Sequence, residues 1–219
     1  MSFDTPAIYV ESDTIPCTND RSGDVRGDVI LPLRVVPQPV PKLHDAGDCG
    51  PCVLAGLLGT TPKDVYDRQG KVAPLSWWEM RQMLYDCKSE GLFDRIVTNP
   101  PSWPQEAISS IACWGCPSTL QSLAWFEYIR MALDAGYYAI ALVDFEKGGL
   151  HGHGPNHWVL ICGARMVYPA SGSGAIKQEV LVSCSNAATP DEEWVEVRDL
   201  LRYRGGFNAL LARPTPRPV

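Results

Sequence analysis

Apolar and polar residues along the chain fall into blocks whose spacing changes from helical to strand-like. The block Val53-Leu54-Ala55-Gly56-Leu57-Leu58 follows Asp48-Cys49-Gly50-Pro51-Cys52 and ends at Gly59, which predicts a short apolar helix opened near Cys49. Thr61-Pro62-Lys63-Asp64 predicts a second helix, with threonine as N-cap and proline at the first helical position. Ser76-Trp77-Trp78-Glu79 has the form of a capping box and predicts a third, whose apolar face is Met80, Met83, Leu84 and Cys87 and which stops near Gly91. A fourth begins at Ser118, carries Leu123, Phe126, Ile129, Met131 and Leu133, and closes at Gly136.

Beyond Gly136 the period shortens. Residues 137 to 145 form an apolar run that predicts a buried strand, and His157 opens another in Trp158-Val159-Leu160-Ile161. Glu179 to Cys184 predicts a third, and residues 191 to 203 a strand end followed by a short helix. Helices early and strands late predict an α+β fold in place of alternating βαβ units.

Residues 1 to 42 are read as a proline-rich N-terminal extension, because Val36-Pro37-Gln38-Pro39-Val40-Pro41 lacks donors and has fixed φ. Within it, Ile30-Leu31 and Leu33-Arg34-Val35-Val36 are short β-like pieces able to pack on the main domain. Residues 43 to 212 make one main domain, with an irregular connection at 98 to 117, and 213 to 219 are expected to be a disordered tail. The chain has 219 residues, 45% of them hydrophobic, which suffices for one sizeable core. Its net charge of −6 includes no basic run, which argues against nucleic acid or an anionic membrane as partner. Met1-Ser2-Phe3-Asp4-Thr5 has no signal-peptide pattern, and no run approaches the roughly 20 apolar residues that span a bilayer. A soluble cytosolic protein is expected, with its eight cysteines reduced.

The chemistry concentrates at Cys49. A thiol at a helix N-terminus meets free N–H groups and the positive end of the helix dipole, so it is expected to ionise readily. His157, opening a strand about a hundred residues later, is the matching general base for such a nucleophile. Cys52, one turn further along the helix, is expected in the core.

Two other chemistries compete. Cys49-Gly50-Pro51-Cys52 has the thioredoxin-type spacing, but the segment before it is proline-rich and no buried strand presents the first thiol. Cys113 and Cys116 form a second Cys-x-x-Cys pair about sixty residues on, a spacing wider than a zinc ribbon's that signals no shared site, and structural zinc involving Cys113 and Cys116 is the other alternative. His151 and His153 lie in a glycine-rich loop, exposed or lining a cleft, and most of the seven tryptophans are expected in the core.

Three pieces in order resemble the papain-like cysteine peptidases, and among them the small C39-like branch. They are Asp48-Cys49-Gly50 opening an apolar helix, residues 133 to 140 as helix, glycine and strand, and His157-Trp158-Val159-Leu160-Ile161-Cys162-Gly163. The resemblance covers roughly residues 43 to 190. It implies a papain-like fold with N-terminal helices, the nucleophile helix packed on a C-terminal antiparallel β-sheet. It also implies Cys49 as nucleophile, His157 as base and an orienting residue near Cys184-Ser185-Asn186, of which Asn186 is the competent side chain. The family's oxyanion glutamine, six residues before the nucleophile, is replaced by Leu43, which leaves the neighbouring His44 or backbone N–H groups as donors. The implied activity is hydrolysis of peptide or isopeptide bonds in a protein or peptide substrate, with no cofactor and no metal. The alternatives are a degenerate papain-like module that binds a protein partner, or a structural zinc or dithiol protein.

Overall fold

A computed structural model describes residues 23–37, 39, 43, 48–70, 74–97, 119–143, 157–169, 175–185, 191–200 and 209–216. Strand β1 (Gly23–Ile30) precedes helices α1 (Cys49–Leu58), α2 (Pro62–Gln69) and α3 (Trp77–Ser89). Strand β2 (Phe93–Val97), helix α4 (Thr119–Asp134) and strands β3 (Tyr138–Val143), β4 (His157–Pro169) and β5 (Lys177–Cys184) follow. Strand β6 (Asp191–Glu196), the short helix α5 (Val197–Leu200) and β7 (Ala209–Pro214) complete the order. The architecture is mixed α+β, as the helical and strand-like periods predict. Among the described residues seven strands form one antiparallel sheet in the order β2-β7-β3-β4-β5-β6, with β1 also pairing with β4.

Local chemistry explains the helix boundaries. The Thr61 hydroxyl accepts from Asp64 N–H and the Ser76 hydroxyl from Glu79 N–H, and both carboxylates reach back to their N-cap residue, so both starts are capping boxes. Gly59, Gly70 and Gly136 supply the left-handed φ at which α1, α2 and α4 end. In α4 the buried positions Trp125, Phe126, Ile129, Ala132 and Leu133 form one stripe.

Helices cover both faces of the sheet. On one, α1 and α3 pack Leu54, Leu57, Met80 and Leu84 against Tyr138, Ile140, Trp158, Leu160 and Cys162. On the other, α4 packs Trp125, Phe126, Ile129 and Leu133 against Ala139, Val159, Ile161, Val180 and Val182. A strand buried on both faces has no polar alternation, which is why residues 157 to 165 are all buried and β4 reads as a continuous apolar run. Arg165 and Glu179 face each other across β4 and β5 as a buried ion pair at 2.7 Å, and Trp194 lies 4.0 Å beneath the guanidinium.

The structure differs from the sequence expectation at both ends. The lead-in contributes β1, and residues 31 to 36 run between α1 and the sheet. There Leu31 N–H donates to Cys162 O (2.8 Å), Val35 N–H to Ser183 Oγ (3.2 Å) and Val36 N–H to Cys52 O (3.3 Å). Val35 is buried in the core, so position 42 does not divide an extension from a domain. Proline excludes a helix here, and the remaining N–H groups find acceptors on α1, β3, β4 and β5. At the other end Arg213 and Pro214 belong to β7, and Thr215 N–H donates to Leu92 O at 3.0 Å, so the expected tail does not begin at 213. β7 is the central neighbour of β2 and β3, and its buried Leu210 and Leu211 carry the ladder up to Pro214.

Gly56 tests the tucked lead-in. A Cβ at this position would lie 2.0 Å from Arg34 O, an overlap with backbone that no rotamer relieves. Gly56→Ala is therefore expected to destabilise the protein by about 3 kcal/mol in denaturant melts. Gly70→Ala, left-handed but in open space, is expected to lose only about 1 kcal/mol. Equal losses at the two sites would show that the segment does not hold against α1.

Candidate functional site

The site is built where the first turn of α1 meets the first residues of β4. Asp48 is the N-cap of α1, and its carbonyl accepts the first helical hydrogen bond from Cys52 N–H at 2.9 Å. Its side chain makes no cap bond. Instead Oδ1 accepts from Tyr66 O–H at 2.6 Å and Oδ2 from Leu43 N–H at 2.9 Å, with the residue fully buried. Two buried acceptor atoms are thus satisfied from α2 and from the segment before the helix.

Cys49 follows, half-buried, while the other described cysteines (Cys52, Cys87, Cys162 and Cys184) are buried, and all five are free thiols. Its Sγ accepts from the backbone N–H of Trp158 at 3.5 Å. The N–H groups of Gly50 and of Cys49 itself also act on the sulfur, and Pro51 has no N–H to offer. Trp158 anchors the contact: its Nε1–H donates to Leu75 O at 2.6 Å, and its ring stacks on Trp77 with centroids 5.8 Å apart. Gly50 permits this approach, since a Cβ there would lie 3.0 Å from both Leu75 Cβ and Trp158 Cδ1.

The main chain at His157 is thereby brought beside Cys49. His157 is the first residue of β4, buried at 6% exposure, and the peptide that joins it to Trp158 donates to the Cys49 sulfur. The end of β5 arrives at the same helix turn: Ser185 is buried and hydrogen-bonds to Cys52. Asn186 and His44 lie outside the described residues, as do Cys113, Cys116, His151 and His153. Cys52 is in the core as expected, with its thiol donating to Pro37 O at 3.7 Å.

Sequence reasoning misjudged the electrostatics of Cys49. The helix N-terminus alone does not lower this thiol: burial pushes it up, the N–H groups of Trp158, Gly50 and Cys49 pull it down by less, and the Asp48 carboxylate adds to the rise. Desolvation of an anion outweighs a few peptide dipoles. The sequence also gave no role to Asp48, Tyr66 or Trp158. Tyr66 is buried beside Val65 on a helix whose other side chains are mostly polar, and its acceptor becomes evident once α1 and α2 are packed.

No family model, curated protein or solved structure matches the chain. Among the described residues, no group of three or more His, Cys, Asp or Glu side chains could hold a metal ion, and no helix is long and apolar enough to cross a membrane.

The buried thiols make stability fall with alkaline pH. Burial raises Cys49, Cys52 and Cys87 from the ordinary value of 9.0 and pushes Cys162 up to about 12. Above pH 9 the unfolded chain therefore loses thiol protons that the folded chain keeps, so stability present below 9 is lost as pH rises toward 12. Melting temperature is expected to decline across that window, and Cys162→Ala to flatten the decline. A Cys162→Ala slope equal to that of the parent would contradict this account.

Proposed function

We propose that this chain is a papain-like cysteine peptidase in which Cys49 is the nucleophile, His157 its general base and Asn186 the residue that orients the imidazole. The observation that carries the reading is the 3.5 Å contact between Cys49 Sγ and the N–H of Trp158, which sets the sulfur against the backbone of the proposed base. In the reaction the thiol proton passes to the imidazole and the sulfur attacks a carbonyl carbon. The leaving amine departs with the proton returned by the imidazolium, and water then hydrolyses the acyl-enzyme. The oxyanion is stabilised by backbone N–H at the start of α1, with His44 as a further donor. The Leu43 N–H is already taken by Asp48.

The end of β5 runs beside the start of β4, with Leu160 paired to Ser183 and Ile161 to Val182, which supports seeking the third member just after β5. The substrate is a protein or peptide, and the free thiols fit a reducing cytosol.

A second reading, a degenerate papain-like module that binds a protein partner, is favoured by two observations. Burial raises the Cys49 thiol, and alternation along β4 gives His157 the parity of Val159 and Ile161, which pack toward α4.

The two readings separate in hydrolysis of a fluorogenic peptide library. Cys49→Ala is expected to reduce turnover by at least about a thousandfold, and Cys52→Ala to leave most of it, because only the first thiol attacks. His157→Ala should be nearly as damaging as Cys49→Ala, with some loss of melting temperature because the ring is buried. Asn186→Ala should lose less, since that residue holds the tautomer and takes no proton. Chelators should have no effect. A domain that hydrolyses nothing, and whose Cys49 alkylates at the same rate with and without His157, is the binding module.

A further inference from the structure

The N-cap of α1 is unusual for its residue type. An aspartate in this position ordinarily turns its carboxylate onto the N–H groups of the first helical turn. Here those groups are few, because Pro51 has none, and Asp48 makes no side-chain cap bond at all. Its two oxygens are drawn away by Tyr66 O–H (2.6 Å) and Leu43 N–H (2.9 Å), one on α2 and one ahead of the helix. No carboxylate oxygen therefore sits on the Gly50 and Cys49 N–H groups, which favour the thiolate.

We propose that Tyr66 and Asp48 are positioning residues for the Cys49 thiol: the Tyr66 hydroxyl holds the Asp48 carboxylate off the first turn of α1, leaving the Cys49 and Gly50 N–H groups to the sulfur and to a developing oxyanion. The inference rests on the reading of Cys49 as nucleophile. Tyr66 is buried and touches neither the sulfur nor any reacting atom, so it acts only through Asp48. The arrangement also reconciles two opposing demands. The carboxylate ties Leu43 N–H to the start of α1, yet as a cap on Gly50 N–H it would place a full negative charge against the thiolate. Without the hydroxyl, the buried Oδ1 would have to find another donor, and Gly50 N–H is on the same turn.

The test is the pH dependence of Cys49 alkylation by iodoacetamide in the intact protein, read by peptide mapping. The titratable groups near the sulfur among the described residues are Asp48, the N-cap of α1, Cys52 from α1 and Tyr66 from α2, while β4 reaches it through the peptide that joins His157 to Trp158. Tyr66→Phe frees the carboxylate to cap the helix, so the alkylation midpoint should move up and the rate at pH 7 fall about tenfold, one unit of thiol pKa. Asp48→Asn removes the charge while its amide oxygen accepts from Leu43 N–H and its NH2 donates to the Tyr66 hydroxyl oxygen, so the midpoint should move down. A merely structural role predicts shifts of the same sign, or none.

Opposite shifts with both proteins folded, by circular dichroism and melting temperature, support the proposal. An unchanged midpoint in Tyr66→Phe, or a shift of the same sign in both variants, overturns it. If Tyr66→Phe does not fold, Asp48→Asn decides alone: a lower midpoint supports the proposal, and an unchanged or higher one overturns it. Because alkylation is read at Cys49 itself, opposite shifts in a protein that hydrolyses no peptide would sink the peptidase reading and leave the positioning of the thiol standing.

Discussion

The candidate site depends on how Trp158 docks the start of β4 onto the first turn of α1. Its indole donates to Leu75 O and stacks on Trp77, so the ring is pinned by the segment that leads into α3. Its backbone N–H reaches the Cys49 sulfur, and the missing side chain of Gly50 makes room for the ring. Three elements distant in sequence are tied at one residue. The fold keeps them there by burying the sheet on both faces, which leaves β4 little freedom to slide or tilt.

Magnitudes decide what activates the thiol. A helix N-terminus stabilises a charge by about 0.3 to 1 kcal/mol, less than one pKa unit. Burial opposes ionisation more strongly, and the raised Cys49 thiol reflects that balance. An imidazolium about 4 Å away would contribute about 4 kcal/mol at an effective dielectric constant near 20, roughly three pKa units in the opposite direction. Under the proposed reading the ion pair with His157 therefore makes the nucleophile, and the helix dipole assists. The Asp48 carboxylate works against the thiolate, which is why the direction its oxygens face matters.

Much of the fold was legible in the sequence because the signals were local. Thr61 and Ser76 mark their helix starts through capping chemistry within three residues, and Gly136 marks the end of α4 by its left-handed φ. The unbroken apolar run after His157 marks a doubly buried strand. What the sequence left hidden depends on distant partners. β2 is short, with only Phe93 of its five residues buried, and it is a strand because β7 pairs with it. The prolines before α1 read as an extension whose β-like pieces could pack on the domain, and only the structure shows that residues 31 to 36 take acceptors from α1, β3, β4 and β5. The same holds at the site. Cys49 and His157 stood out by residue type and spacing, whereas the desolvation of the thiol and the Tyr66–Asp48 contact arise only from packing.

The most direct measurement of the central claim is the distance from Cys49 Sγ to the nearest ring nitrogen of His157 in a crystal structure of the protein. The account predicts hydrogen-bonding reach, about 3 to 4 Å, with the imidazole turned toward the first turn of α1. An imidazole packed toward α4 with Val159 and Ile161, out of reach of the sulfur, would contradict it.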